Sequence, residues 1–182
     1  RHGFARDRIF SLNGASSSEL CLTLLSDERS LLQFPFKFRL DIIYQLQDNR
    51  LLVTYRVTNT GSAEMYFSIG GHPAFSVPFI KGTDYTDYYL EFEKTETADR
   101  WPISAEGLIE TRSKPLLSNM QQLPLQRALF YQDALVFKDI RSERVSLRHK
   151  DSSKGISFIF KGFPYLGLLA AKDADFVCIE PW

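Results

Sequence analysis

A chain of 182 residues that is 44% hydrophobic carries enough apolar material for a substantial core, and its length suits one domain over residues 1–182 better than two. Lys plus Arg and Asp plus Glu each count 22, with the basic residues spread along the chain, so no footprint for nucleic acid or another polyanion appears. No apolar run approaches the ~20 residues that cross a bilayer, and the opening stretch "RHGFARDRIF" lacks the apolar segment of a signal peptide; the expectation is a cytosolic protein with no membrane partner.

Along the chain, short runs rich in aromatic and β-branched residues alternate with Gly, Asn, Asp, Ser or Pro, which predicts an all-β sandwich or barrel. "NGASSSE", Asn13 to Glu19, reads as a polar surface loop, followed by a strand at Leu20 to Leu25 and a short helix within Asp27 to Leu32. Next comes a hairpin: Phe38, Leu40, Ile42 and Tyr44 share one face at period two, Val53, Tyr55 and Val57 share a face of the following run, and Asp48 and Asn49 between them tolerate the backbone of a tight turn. Further strands are predicted at Met65 to Ile69, Tyr88 to Phe92, Leu135 to Lys138, Val145 to His149, Ile156 to Phe160, Tyr165 to Leu169 and Phe176 to Ile179, with a second short helix within Leu125 to Tyr131. There is no internal repeat and no low-complexity tract. The chain begins at Arg1 without a methionine and ends on Trp182 directly after a strand-like run, so it is expected to be a piece of a longer protein.

Most of the familiar chemical signatures are missing. Cys21 and Cys178 lie far apart and form no CxxC, which suits small buried side chains better than a disulfide framework. His2, His72 and His149 show no HxxxH or HxH spacing, so no metal is expected, and a zinc site would have to be assembled wholly by the fold. There is no GxSxG elbow, no phosphate-binding GxxxxGK[ST] loop and no GxGxxG, and hence no nucleotide cofactor is implied.

What remains is a set of proton-handling and polar residues. In "SIGGHPAFSVPF", Gly70 and Gly71 can adopt backbone angles closed to other residues and Pro73 biases His72 to be extended, so the imidazole projects from a fixed turn. Such a histidine either satisfies a neighbouring carbonyl or serves as a proton donor. Glu180, in "DFVCIEPW", sits in strongly apolar sequence, where desolvation raises a carboxyl towards the range of a general base; a strand-end carboxylate reaching water or an arginine fits the same sequence. His2 is followed by Gly3, which allows a close approach, and the planar fork of Arg6 suits an anion or sugar oxygens, although both are equally consistent with a solvated terminus. Asp133, just before a strand, can cap a turn or accept hydrogen bonds from a ligand.

Taken in order, "RHGFAR", "MYFSIGGHPAF" and "FPYLGLLAAKDADFVCIEPW", with the hairpin between the first two, resemble the aldose 1-epimerase (galactose mutarotase) superfamily and most closely its LacX-like branch. The resemblance implies a large antiparallel β-sandwich with an open sugar cleft, here lacking segments before Arg1 and after Trp182. It also implies an isomerase that interconverts the α and β anomers of a monosaccharide or sugar phosphate without cofactor or metal. His72 would be the general acid and Glu180 the general base, facing one sugar-sized hollow from opposite sides; His2 would lie beside the ring, Asp133 would bind hydroxyls, and Arg6 would bind a phosphate or hydroxyl. Phe75, Phe79 and Trp182 stand near the motifs as candidates for flat apolar surface. The alternative from another class is a non-catalytic carbohydrate-binding or regulatory domain of the same fold. A glycosidase is less apt, because it ordinarily needs two carboxylates and the best pair here is a histidine and a glutamate.

Overall fold

The period-two patterning folds into three four-stranded sheets in which the paired strands all run antiparallel, the all-β architecture that the sequence predicts. The computed structural model describes residues 2–182, and the chain divides into two compact units, one ending at Phe67 and the other running from Ser68 to Trp182. Arg1, the first residue of the "RHGFAR" motif, lies outside the described residues.

The first unit carries β1 (Ser11–Ala15), β2 (Glu19–Leu25), β3 (Phe38–Gln47) and β4 (Arg50–Asn59), adjacent in chain order. The predicted hairpin is β3–β4, turning through Asp48 at φ +52°. Its register sets Leu40 opposite Val57, Ile42 opposite Tyr55 and Tyr44 opposite Val53, merging the two apolar rows into one face. Asn13 to Ala15, read from composition as loop, belong instead to β1: this edge strand is exposed along its length, so polar side chains cost little and the ladder to β2 holds it. The short helix forms as predicted, as α1 (Glu28–Leu31), with the Asp27 carboxylate accepting the Ser30 N–H at 2.6 Å. Asp41, on β3 and only 2% exposed, accepts the Thr23 hydroxyl at 2.5 Å and the Arg39 Nε–H at 2.9 Å. Those bonds, the Arg39 one foremost, hold its carboxyl below the usual range against the opposing effect of desolvation.

The second unit contains β5 (Ala74–Ser76), β6 (Tyr88–Arg100), β7 (Lys114–Pro124), β8 (Leu135–Phe137), β9 (Arg144–His149), β10 (Ser152–Ile159), β11 (Leu166–Leu169) and β12 (Phe176–Pro181). They form two sheets, ordered β10-β9-β6-β7 and β5-β12-β11-β8. Side chains from both build one core: Leu90 and Phe92 of β6, Val145 and Leu147 of β9, Leu135 and Phe137 of β8, Leu166 and Leu168 of β11, Val177 and Ile179 of β12. Phe92 meets Phe137 edge-on across the sheets at 6.4 Å between ring centroids. Each such side chain, fully buried, contributes about 1.5–3 kcal/mol of transfer free energy, so the inward parity of every strand is strongly fixed.

Two expectations fail on strand pairing. Met65 to Ile69 forms no strand: Tyr66 and Phe67 stay 69% and 52% exposed, and the run is without a ladder partner. Conversely β7 forms where none was expected, and β6 runs on to Arg100, because bulges at Glu91–Glu96 and Glu96–Ala98 break the alternation that a sequence pattern relies on.

Candidate active site

The site is built by one antiparallel register in the second unit. β12 pairs with β5 so that Cys178 lies opposite Ala74 and Val177 opposite Phe75. Carrying this pairing two residues further along each strand sets Glu180 opposite His72, and cross-strand partners share a face. Alternation sends Val177 and Ile179 into the core and leaves Cys178 and Glu180 on the other side of the sheet. His72 Nε2 stands 3.2 Å from Glu180 Oε1, with the side chains 40% and 17% exposed. The expected acid and base are therefore neighbours side by side, not groups facing each other across a hollow.

Local structure fixes both. Gly70 is needed for close approach: a Cβ there would come within 2.6 Å of the Pro181 carbonyl oxygen and 2.8 Å of Trp182 Cβ. The left-handed backbone expected of Gly70 and Gly71 does not occur, since the positive-φ glycines are Gly82, Gly107 and Gly162. Gly71 N–H donates to the Pro181 carbonyl at 3.0 Å and Ile179 N–H to the Pro73 carbonyl at 3.2 Å, tying the histidine segment to the strand that carries the glutamate.

Glu180 is held in an unusual electrostatic state. Its Oε1 is buried, and among the described residues no hydrogen bond reaches it, although His72 Nε2 lies 3.2 Å away. Desolvation pushes its pKa above the ordinary carboxyl value, His72 opposes that, and the charge of Asp133 adds to it. Asp133 is thus brought within electrostatic reach of Glu180. It follows the 3₁₀ helix Arg127–Phe130 in a turn at φ +129°, a region rarely adopted by a non-glycine residue, with its carboxylate accepting the Ala134 N–H at 2.6 Å.

Two residues of this face, Gly167 and Tyr165, were missed by sequence reasoning. Gly167 of β11 lies opposite Glu180, and a Cβ there would crowd Trp182 Nε1 at 3.3 Å and Glu180 Cβ at 3.4 Å, so the glycine keeps the floor beside the carboxylate low. Tyr165 and Trp182 continue the β11–β12 ladder through reciprocal backbone hydrogen bonds of 2.8 and 3.1 Å, and their rings pack 5.6 Å apart. Parity places them on the Glu180 face. Phe75 and Phe79 pack instead against the core, leaving Trp182, with Tyr165, as the aromatic surface near the pair.

His2 and Arg6 belong to the first unit. His2 is exposed and lines an open concavity of about 510 Å³ with Gly3, Phe4, Asp7, Arg8 and Gln33. Arg6 lies in the 3₁₀ helix Phe4–Asp7, its Nε 3.7 Å from the Asp7 carboxylate and both side chains largely in solvent, a weak surface pair.

Comparison with known proteins agrees with this architecture. The Aldose 1-epimerase family model matches residues 1–182. The chain is 32% identical over 186 residues to the chromosomal protein LacX of Lactococcus lactis subsp. lactis, covering 100% of this chain and 62% of that protein. A galactose mutarotase related enzyme from Lactobacillus acidophilus superposes with a TM-score of 0.91 at 28% identity, and a galactose mutarotase-like protein from Lactobacillus casei with 0.88 at 29%; these cover 100% of this chain and 61% and 63% of theirs. The chain thus spans about three fifths of the length of the proteins it matches. The family match over the whole chain, the identity to LacX and the superposition on galactose mutarotase-like structures make it a member of the aldose 1-epimerase family, on the LacX-like branch.

Proposed function

We propose that the protein is an aldose 1-epimerase that interconverts the anomers of a monosaccharide or sugar phosphate, with Glu180 as general base and His72 as general acid. The observation that carries this reading is the 3.2 Å contact between His72 Nε2 and Glu180 Oε1 on one face of the sheet. In an aldopyranose the C1 hydroxyl and the ring oxygen are both bonded to C1, so a base and an acid that serve them must be neighbours. A carboxylate with a buried oxygen that no hydrogen bond from the described residues reaches is a stronger base than a solvated one, and the neighbouring imidazole is suited to the part of proton donor.

In the forward step the Glu180 carboxylate takes the proton from the C1 hydroxyl while the His72 imidazolium protonates the ring oxygen. The bond between C1 and the ring oxygen breaks and an open-chain aldehyde forms. Rotation about C1–C2 presents the other face of the carbonyl. The ring oxygen then adds to C1 and returns its proton to imidazole, and protonated Glu180 gives its proton back to O1. Tyr165 and Trp182 offer aromatic surface to the sugar ring, and Asp133 is suited to accept from its hydroxyls.

Polarimetry on freshly dissolved α-galactose or α-glucose tests the reading. Equilibration should be faster with the protein, and Glu180→Gln should abolish the gain. Saturable sugar binding without acceleration would instead support the non-catalytic carbohydrate-binding reading, and an undiminished rate in Glu180→Gln would remove Glu180 from its role.

A further inference from the structure

We infer that His72, Cys178 and Glu180 form a binding site for a thiophilic divalent cation of the zinc class. The imidazole nitrogen, the thiol sulfur and a carboxylate oxygen all lie within 4.8 Å of one another. The histidine spacing in the sequence offered no such site; the fold assembles one by placing Cys178 two residues from Glu180 on a strand whose alternate residues share a face, with His72 across the ladder. Two ligands bound tetrahedrally at 2.0–2.1 Å lie about 3.3 Å apart. The His72 Nε2 to Glu180 Oε1 separation of 3.2 Å is already that distance.

The donor set points to the cation class. One nitrogen, one sulfur and one carboxylate oxygen match the mixed ligands of zinc, whereas calcium and magnesium are held by oxygen alone. Three protein ligands leave a fourth position, and the partly exposed His72 gives access to it. Glu180 Oε1, buried and without a hydrogen-bond partner among the described residues, is an acceptor that a cation would satisfy. On binding, the Cys178 S–H bond gives way to a sulfur–metal bond and the proton leaves to buffer, with no change of oxidation state. The inference does not depend on the epimerase reading, since a cation can occupy these ligands whether or not the protein acts on sugars.

The test uses the purified protein with Zn²⁺ in a calorimeter and Co²⁺ as a spectroscopic probe. One equivalent of Zn²⁺ should bind, and Co²⁺ should show the visible bands of a four-coordinate ion with a near-ultraviolet thiolate charge-transfer band. Cys178→Ser should lose that band, and His72→Ala, a change at a partly exposed position that spares the core, should weaken Zn²⁺ by about tenfold or more. Absence of saturable Zn²⁺ binding, a six-coordinate Co²⁺ spectrum without the thiolate band, or unchanged affinity in His72→Ala would overturn the site. Polarimetry reads none of these, so failure of the cation site and failure of the epimerase assignment are seen separately.

Discussion

Asp41 in the first unit and Glu180 in the second are both carboxylates on paired strands with little access to water, yet their surroundings drive them in opposite directions. Asp41 accepts from Thr23 and from the Arg39 guanidinium, and its carboxyl is held acidic. Glu180 has a buried oxygen that no hydrogen bond from the described residues reaches, and desolvation pushes its pKa above the ordinary carboxyl value. Burial alone therefore says little about a carboxylate; what decides is whether its lone pairs are answered. The answered one ties Thr23 and Arg39 to its sheet, and the other keeps a buried oxygen that no donor among the described residues meets.

The sharpest way to break the comparison is to neutralise Glu180. Glu180→Gln should lower the rate gain by about 100-fold to 10,000-fold, the range for losing one general base. Its melting temperature should be no lower than the parent's, because a desolvated carboxyl is replaced by a neutral amide of nearly the same shape. A variant that loses activity only by unfolding would place Glu180 with the structural carboxylates. Next in size is Gly70→Ala: its Cβ would be forced to within 2.6 Å of the Pro181 carbonyl, so the strand end carrying Glu180 must move, at a cost of about 1–3 kcal/mol read as a lower urea midpoint, together with a slower rate.

Asp41→Ala should show the converse pattern. It leaves Thr23 and Arg39 without their acceptor and should cost about 1–3 kcal/mol in urea while the folded protein keeps its rate. The smallest effect is on pH dependence. The folded pKa of Asp41 is depressed below 3.8, so its contribution to stability is fully present above that value and is lost as pH falls through the folded pKa. The gap in urea midpoint between parent and Asp41→Ala should therefore be constant from pH 7 to 5 and close on acidification below about pH 4. A gap unchanged at pH 2.5 would show that the carboxylate charge contributes nothing.

Much of this was legible in the residues, for reasons that can be named. The β3–β4 hairpin was readable because its alternation is unbroken on both sides of a turn built on Asp48. β12 was readable because Val177 and Ile179 are anchored in the core. β7 was not, since Pro115, Pro124 and a left-handed Asn119 at φ +51° imitate loop sequence. At the site, His72 and Glu180 could be named from their motifs, but their contact follows from the register between strands far apart in the chain, which no local pattern encodes. For the same reason Cys178 read as packing alone, and Gly167 and Tyr165 went unnoticed until β11 lay beside β12.

The strand β12 is two-faced: Val177 and Ile179 are held in the core, while Cys178 and Glu180 lie on the side that His72 shares. A substitution at Glu180 is therefore felt mainly on the His72 side, while Val177 and Ile179 keep their places in the core. Change on one face and persistence of the fold are thereby uncoupled: a lineage can rewrite the His72 side of this strand while its anchored side stays as it is.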